Sequence, residues 1–144
     1  MDDSSTTSIQ AVRPRGVVAV VMRAERFLVI RRSAEVVAPG KYCFPGGGIE
    51  GSETESEALK REFREELGAA IEPVRCVWRS STPWMVDLAW WLSRMDADTK
   101  LVANPAEVES VHWLSGDEML ALAELLDSNR TFLAALAERQ IRLD

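Results

Sequence analysis

The sequence predicts an α/β protein in which a mixed β-sheet packs between layers of helices. Three observations support this fold class: short apolar runs stand on both sides of one amphipathic helix, two more helical stretches close the chain, and 144 residues suffice for one core. We therefore expect a single domain over residues 14–144. Residues 1–13 are polar and rich in Ser, Thr and Asp, so we expect a disordered tail there.

The first strands come from the N-terminal third of the chain. Gly16 to Met22 and Phe27 to Ile30 are apolar, β-branched runs on either side of a polar turn, which predicts two strands. Pro39-Gly40 then marks a connection before the short segment Tyr42 to Phe44. A glycine-rich turn follows and leads directly into the central helix.

The sequence marks both ends of this helix. Thr54 can serve as its N-cap, and Glu57 stands at the position that completes a capping box. Gly68 stands where a helix C-cap favours a left-handed residue. The apolar residues in between recur at every fourth position and are expected to face the core: Leu59, Phe63 and Leu67.

The C-terminal half predicts three more strands. Ile71 to Trp78 and Trp84 to Leu92 are typical strand sequences joined by a turn at Ser80 to Pro83, and Val108 to Leu114 predicts another strand. Alternate strand positions face opposite sides, so some tryptophans here can line a pocket while most belong to the core: Trp78, Trp84, Trp90 and Trp91.

Two capping patterns define the final helices. Ser115 with Glu118 forms a second capping box, and we expect the helix that it opens to run to about Leu126. Asp127-Ser128 can then cap a last helix that ends near Arg142. These helices would complete the helical layers around the sheet.

Charge and composition narrow the classes of partner. Lys and Arg number 17 against 23 Asp and Glu; the net charge of −6 argues against binding to a nucleic acid polymer or an anionic membrane surface. No apolar run approaches the roughly 20 residues that span a bilayer, and the N-terminus lacks a signal-peptide pattern, so we expect a cytoplasmic location. Cys43 and Cys76 lack metal-type spacing and are expected to be reduced. Monomer and homodimer both stay open.

Carboxylates crowd one face of the central helix. Glu62, Glu65 and Glu66 stand at i, i+3 and i+4, so they project from one side of a helical turn and repel one another at neutral pH. Hard divalent cations take oxygen ligands and bridge carboxylates to phosphates, which would remove this repulsion. The pattern favours Mg²⁺-dependent phosphate chemistry, with an ordinary solvated acidic face as the alternative.

The same stretch resembles the Nudix box, a motif of nine specified positions in fixed register. All of them are filled: Gly47, Glu53, Arg61, Glu62, Phe63, Glu65, Glu66, Gly68 and Ala69. Phe44-Pro45-Gly46 and the stretch from Glu107 to Ser115 also resemble the segments that flank the box in MutT-like members. The resemblance covers the chain from about Gly16 onward and implies the Nudix fold, an α/β/α sandwich with a mixed sheet.

The resemblance also implies a catalytic metal site. Glu62, Glu65 and Glu66 would hold Mg²⁺, for which Mn²⁺ could substitute, together with the backbone carbonyl near Gly47. A further catalytic and metal-binding carboxylate is expected from Glu107, with Glu109 as the competitor. Glu62 and Glu107 are both admissible as the general base.

Other positions carry implied structural and substrate roles. Glu53 and Arg61 are expected to form an ion pair that fixes the loop on the helix, while Gly68 ends that helix. The resemblance assigns substrate contacts to three residues: Arg32 to phosphate, Phe44 to base packing and Asn129 to base reading. For Asn129, a helix-cap role is an equal alternative.

The implied function is hydrolysis of a phosphoanhydride bond in a nucleoside diphosphate linked to another moiety. Nucleoside triphosphates or oxidised nucleotides are favoured, with ADP-ribose or a nucleotide sugar as further options. The alternative is a non-catalytic Nudix-fold module that binds or senses a nucleotide, although such a module should have lost box glutamates. An isopentenyl diphosphate isomerase is disfavoured because Cys43 lacks the closely following histidine that this chemistry needs.

Overall fold

The structure is a computed structural model and describes residues 13–144. Within this range it contains the following strands and helices: β1 (Arg15–Arg23), β2 (Arg26–Arg32), β3 (Tyr42–Cys43), β4 (Gly46–Gly48), α1 (Glu55–Leu67), β5 (Glu72–Ser81), β6 (Asp87–Arg94), β7 (Val108–Leu114), α2 (Gly116–Leu120) and α3 (Asp127–Ala137). The predicted tail lies outside the described residues except for Arg13, whose guanidinium binds both carboxylate oxygens of Asp87 at 2.7 and 3.0 Å.

The strands form one mixed sheet centred on β1. This strand pairs parallel with β6 from Arg15–Asp87 to Val21–Ser93 and antiparallel with β4. At its carboxyl end β1 turns into β2, which pairs with both β3 and β7, while β5 extends the sheet beyond β6. The predicted α/β class with a mixed sheet is confirmed.

Alternation along β1 explains the layered architecture. Val17, Ala19 and Val21 pack in a core with the apolar face of α1, which includes Leu59 and Phe63. The intervening residues face a second core shared with α2 and α3: Val18 and Val20 with Met119, Phe132 and Leu133. A strand buried on both faces needs a continuous apolar run, which is what β1 supplies. The sheet is thus sandwiched between α1 and the C-terminal helices.

The capping residues fix the register of α1. Thr54 accepts a hydrogen bond from Glu57 N, and the Glu57 side chain accepts one from Thr54 N, so the capping box is complete. Gly68 ends the helix at φ 62°, and its N–H donates to Arg64 O. The equivalent box of Ser115 and Glu118 opens α2. None of the helices between residues 13 and 144 is long and apolar enough to cross a membrane.

The helix α2 is shorter than the sequence predicts, ending at Leu120 rather than near Leu126. The reason is a tertiary contact: Tyr42 N donates to Glu124 O, and Leu126 N donates to Tyr42 O. This backbone pairing with β3 draws the chain out of the helix. The helix α3 also departs from the prediction, because its N-cap is Leu126 without a side-chain hydrogen bond, and it ends at Ala137.

The strands also differ from the prediction in three places, one of which is that β5 continues to Ser81 rather than ending at Trp78. The segment Gly46–Gly48 forms β4, although glycine disfavours strands, because close pairing with β1 leaves no room for a side chain at Gly46. The strand β6 begins at Asp87 rather than Trp84. The intervening residues form a turn in which Thr82 and Val86 exchange backbone and side-chain hydrogen bonds.

Candidate functional site

Arg61 ties the loop before α1 to the helix. Its Nε and Nη2 donate to the two carboxylate oxygens of Glu53 at 2.6 and 2.9 Å, and Nη2 also donates to Gly48 O at 2.9 Å. Hydrogen bonding from Arg61 lowers the pKa of Glu53 to about 2. The ion pair implied for Glu53 and Arg61 is therefore present, and it holds the glycine-rich β4 against the start of the helix.

Beside this pair, Glu62 and Glu66 are held in a poorly hydrated environment. Burial raises the pKa of Glu62 to about 7 despite the hydrogen bond from Arg61, with further raising effects from Glu65 and Glu107. Glu66 is 5% exposed, and burial followed by the charge of Glu62 raises its pKa well above the ordinary value. Gly46 N donates to Glu66 Oε1 at 3.1 Å and offsets part of this cost. Two neighbouring carboxylates, one buried and one half-buried, are unfavourable unless they are protonated or paired with a cation.

Glu107 joins this group, whereas Glu109 does not. Glu107 lies just before β7, and its charge raises the pKa values of both Glu62 and Glu66. Glu109 is exposed and forms an ion pair with Arg31 at 3.2 Å. Glu107 accepts a hydrogen bond from Asn104, whereas Glu109 is paired with Arg31, so the two carboxylates lie in different surroundings.

Asn104 positions the loop that carries Glu107, a role that sequence reasoning missed. Its N–H donates to Glu66 O at 2.9 Å, and its side-chain amide donates to Glu65 O at 3.2 Å and to Glu107 Oε2 at 3.3 Å. These bonds dock the loop on the end of α1. No local signal distinguishes such an asparagine from an ordinary loop residue, because its partners are distant in sequence.

The carboxylates are of the type that binds divalent cations, but they do not converge on one metal position in this structure. Within residues 13–144, no three His, Cys, Asp or Glu side chains already converge on a metal position. Two of the carboxylates are instead bound by Arg61, whose Nη1 donates to Glu62 Oε1 at 2.8 Å and to Glu65 Oε1 at 3.2 Å. The carboxylate of Glu62 also lies so close to Gly47 that a Cβ there would overlap it. Clustered oxygen donors with raised pKa values fit a hard cation such as Mg²⁺.

Arg32 connects the carboxylates to a large cavity. It ends β2, and its Nε donates to Val37 O at 2.6 Å. Its positive charge lowers the pKa of Glu66, against the raising effect of burial. The cavity measures about 510 Å³ and is lined by Arg32, the loop after β2, the turn between β5 and β6, and the start of α3. This size and mixed lining suit a small-molecule ligand.

A smaller cavity of about 310 Å³ lies next to the loop before α1. Three of its four charged groups are paired, because Arg79 binds both oxygens of Glu55 at 2.8 and 3.1 Å and Asp87 is bound by Arg13, which lies outside the cavity wall; the fourth is Arg15. The 510 Å³ cavity is the better candidate for substrate because it is larger and its wall includes Arg32, whose charge acts on Glu66.

The structure does not place Phe44 or Asn129 on the wall of this cavity. Phe44 is 3% exposed and packs against the aromatic rings of Phe27, Trp90 and Phe132. Asn129 is 2% exposed, and its Oδ1 accepts the Phe44 N–H at 2.9 Å. Asn129 lies inside α3, so it does not cap the helix either.

The cavity is instead lined by residues for which the sequence suggested other roles. Asp127 and Ser128, predicted to cap α3, contribute to its wall. Trp84 also lines it and is 67% exposed, whereas Trp90 is fully buried. The exposure of Trp84 could have suggested its place on the cavity wall, but exposure is not visible in a sequence.

Comparisons with known proteins bear on the family and the fold of this chain. The family model described as the NUDIX domain matches residues 12–136. The chain is 29% identical over 117 residues to a Nudix hydrolase of Deinococcus radiodurans, covering 73% of this chain and 67% of that protein. It is 29% identical over 105 residues to an NAD-capped RNA hydrolase of Stutzerimonas stutzeri, spanning 73% of this chain but 37% of that protein. The crystal structure of a MutT protein from Methanosarcina mazei superposes with a TM-score of 0.75 at 21% identity, covering 88% and 94% of the two chains.

Proposed function

The chain belongs to the NUDIX domain family and is a Nudix-type pyrophosphohydrolase, and from this premise we propose that it hydrolyses a phosphoanhydride bond in a nucleoside diphosphate derivative with the help of Mg²⁺. The observation that carries the proposal is that Arg32 takes part in both the cavity and the carboxylate cluster. This side chain lines the 510 Å³ cavity and also acts on the charge of Glu66 in the carboxylate cluster. A substrate in the cavity would therefore extend its phosphates toward the cluster.

The residues that would hold the metal are Glu62, Glu65, Glu66 and Glu107, with the carbonyl of Gly47. Bound Mg²⁺ would neutralise phosphate oxygens and lower the pKa of a water molecule. Mn²⁺ has the same preference for carboxylate and carbonyl oxygens and could substitute. Such binding requires Glu62 and Glu65 to exchange their hydrogen bonds with Arg61 for the cation. Arg61 retains Glu53 and Gly48 O as partners after that exchange.

Proton transfer and charge stabilisation would come from different side chains. Burial raises the pKa of Glu62 to about 7 in the metal-free protein, and a bound cation would lower it, which would leave this carboxylate deprotonated as a general base requires. Glu107 reaches the same cluster and is the second candidate for this role. Arg32 would stabilise negative charge on the phosphate that departs or is attacked.

Nucleoside triphosphates and oxidised nucleotides are the favoured substrates, because the segments around the box resemble those of MutT-like members. ADP-ribose and nucleotide sugars have the same bond and stay in the proposal as further options. Charge argues for a small substrate rather than a polymer, since the chain carries a net charge of −6. We expect the protein to act in the cytoplasm as a monomer or homodimer.

A non-catalytic nucleotide-binding module is the alternative. Such a module has no need for metal-binding carboxylates, and selection would not keep them together. Here Glu62, Glu66 and Glu107 still meet at substantial electrostatic cost. That cost favours an enzyme, because function explains why it is retained.

The deciding experiment is a hydrolysis screen of the purified protein with Mg²⁺. The panel should contain the common nucleoside triphosphates, an oxidised purine triphosphate, ADP-ribose, a nucleotide sugar and NAD⁺. We expect metal-dependent cleavage of the phosphoanhydride bond in at least one member, detected by chromatography as a nucleoside mono- or diphosphate product, abolished by EDTA and restored by Mg²⁺ or Mn²⁺. Tight nucleotide binding without turnover of any member would instead support the module.

A further inference from the structure

The segment that precedes β7 caps the carboxyl-terminal end of α1. Val102 N donates to Leu67 O at 2.8 Å, and Asn104 N donates to Glu66 O at 2.9 Å. The side-chain amide of Asn104 donates to a third carbonyl, that of Glu65, at 3.2 Å. The last carbonyl groups of a helix lack partners within the helix, and these bonds satisfy three of them. The segment is therefore fixed to the turn of α1 that carries Glu65 and Glu66.

The Asn104 side chain also reaches the carboxylate of Glu107. Its Nδ2 donates to Glu107 Oε2 at 3.3 Å, while its Oδ1 accepts the Ala106 N–H at 3.1 Å. The Asn104 carbonyl accepts the N–H groups of Glu107 and Val108 at 2.9 and 2.7 Å. A side-chain amide has two donor hydrogens and one acceptor oxygen, so all of its bonds form together. Asn104 thus holds both the backbone of the turn at Glu107 and the side chain that the turn carries.

Ser33 holds the same turn from the other side. It is 5% exposed, its N–H donates to Glu107 O at 3.0 Å, and its Oγ donates to Ala106 O at 2.9 Å. Ser33 follows Arg32 at the end of β2, so the turn is fixed to this strand as well as to α1. The hydrogen bonds from Ser33 to the turn reach backbone oxygens only, whereas Asn104 also binds the Glu107 carboxylate.

We propose that Asn104 is a positioning residue that orients the Glu107 carboxylate toward the carboxylates of α1 and thereby sets the affinity of this site for a divalent cation. The proposal rests on the proposed function, because it concerns the same cation site. It assigns Asn104 an effect on the cation that goes beyond docking the loop.

Electrostatic repulsion explains why Glu107 needs such a partner. After burial, the charge of Glu107 is among the causes that raise the pKa of both Glu62 and Glu66, so the three carboxylates lie close together. Like charges repel, and a free Glu107 side chain would turn away from the others toward water. The hydrogen bond from Asn104 opposes this movement. Removing a residue that orients a metal ligand typically weakens metal binding by about 10- to 100-fold.

Mn²⁺ binding measures this role without any turnover. The electron paramagnetic resonance signal of free Mn²⁺ reports how much of the ion the purified protein binds in the absence of nucleotide. Asn104→Ser keeps a hydroxyl that can accept the Ala106 N–H but is too short to reach Glu107. We expect this variant to bind Mn²⁺ about tenfold or more weakly than the unmodified protein. Asn104→Ala, which loses every side-chain bond, should bind the ion at least as weakly.

Ser33→Ala is the matched control on the same turn. It removes the bond to Ala106 O and leaves every bond of the Asn104 side chain in place. It should lower the melting temperature by an amount similar to that of Asn104→Ser and leave the Mn²⁺ affinity unchanged. An equal loss of Mn²⁺ affinity in the two variants would show that any loosening of the turn suffices, and would overturn the proposal. Unchanged affinity in Asn104→Ser would overturn it as well.

A double variant shows whether Asn104 acts through Glu107. Glu107→Gln removes the charge that Asn104 orients, so adding Asn104→Ser to it should cause little further loss of Mn²⁺ affinity. Fully additive losses would mean that Asn104 acts on the cation by another route, and the positioning role would be wrong.

Binding and hydrolysis together separate this proposal from the proposed function. If Asn104→Ser weakens Mn²⁺ binding but the unmodified protein hydrolyses no member of the nucleotide panel, the positioning role stands and the hydrolase proposal fails. If the unmodified protein shows metal-dependent hydrolysis and Asn104→Ser binds Mn²⁺ equally well, the hydrolase proposal stands and the positioning role fails. An unmodified protein that binds no Mn²⁺ would overturn both.

Discussion

The backbone N–H of Phe44 donates to Oδ1 of Asn129 at 2.9 Å, although the two residues lie 85 positions apart in the sequence. This bond joins the start of the glycine-rich turn to α3 inside the protein. Two residues expected to touch the substrate therefore satisfy each other's hydrogen-bonding groups.

Asn129→Ala should therefore affect the stability of the fold more than the specificity for substrate. Removing Oδ1 leaves the Phe44 amide buried without a partner, which should lower the free energy of unfolding by about 1–3 kcal/mol. Denaturant unfolding measures this loss. Direct base reading by Asn129 stays a prediction, and kcat/KM ratios across purine and pyrimidine substrates test it: a changed ranking with little loss of stability would contradict the internal role.

Gly47→Ala should impair turnover while preserving the fold. A Cβ at this position would overlap the carboxylate of Glu62, whose side chain can move away without disturbing the core. Displacing a group that acts on the reaction by about 1 Å can cost on the order of 100-fold in rate. Hydrolysis rates and circular dichroism should be measured together.

Gly48→Ala is the matched control for that change. A Cβ on Gly48 approaches only Arg15 O, at 4.0 Å, so its activity should stay close to that of the unmodified protein. Equal activity of the two alanine variants would show that the close approach of Gly47 to Glu62 has no catalytic importance.

Local signals allowed the central helix and its acidic face to be predicted from sequence. Thr54, Glu57 and Gly68 specify the helix ends through bonds within a few residues, and these ends fix the register that brings Glu62 and Glu66 to one side. Such features depend on interactions between residues that are close in the sequence, so the sequence shows them directly.

The features that sequence reasoning missed depend on long-range contacts. The strand β4 exists because glycines can approach β1, and α2 ends early because residues near Leu126 pair with Tyr42. The roles of Asn104 and Asp127 likewise follow from which distant elements they meet. No periodicity or cap pattern encodes these partners, so propensity alone could not have found them.

Glu66→Gln should abolish most turnover and leave the metal-free protein at least as stable. The amide is neutral, which removes the cost of burying a charge, and its oxygen can still accept the Gly46 N–H that now binds at 3.1 Å. Loss of a metal-binding carboxylate should reduce kcat by about 100-fold or more. Full activity at saturating substrate, with melting temperature unchanged, would contradict the metal-site proposal.

Replacing the two carboxylates around β7 distinguishes the candidates for the extra group. Glu107→Gln should lower kcat/KM strongly, because this residue interacts with Glu62 and Glu66 across the cluster. Glu109→Gln should lose only the exposed ion pair with Arg31, which contributes about 0–1 kcal/mol to stability. Steady-state kinetics of both variants decides the matter, and a larger effect from Glu109 would reverse the assignment.

Mg²⁺ should raise the melting temperature, and the increase should grow with pH. Burial raises the pKa of Glu62 from 4.5 to about 7, and that of Glu66 also lies above its ordinary value. Between these pKa values the folded state binds more protons than the unfolded state, so metal-free stability falls as pH rises through this window. Mg²⁺ binds the deprotonated carboxylates and competes with protons, so its contribution is small at about pH 5 and larger at about pH 8.

Thermal unfolding at matched ionic strength with and without Mg²⁺ measures this difference. Glu62→Gln is the control that should flatten it, and an equal Mg²⁺ effect at both pH values would count against binding at these carboxylates.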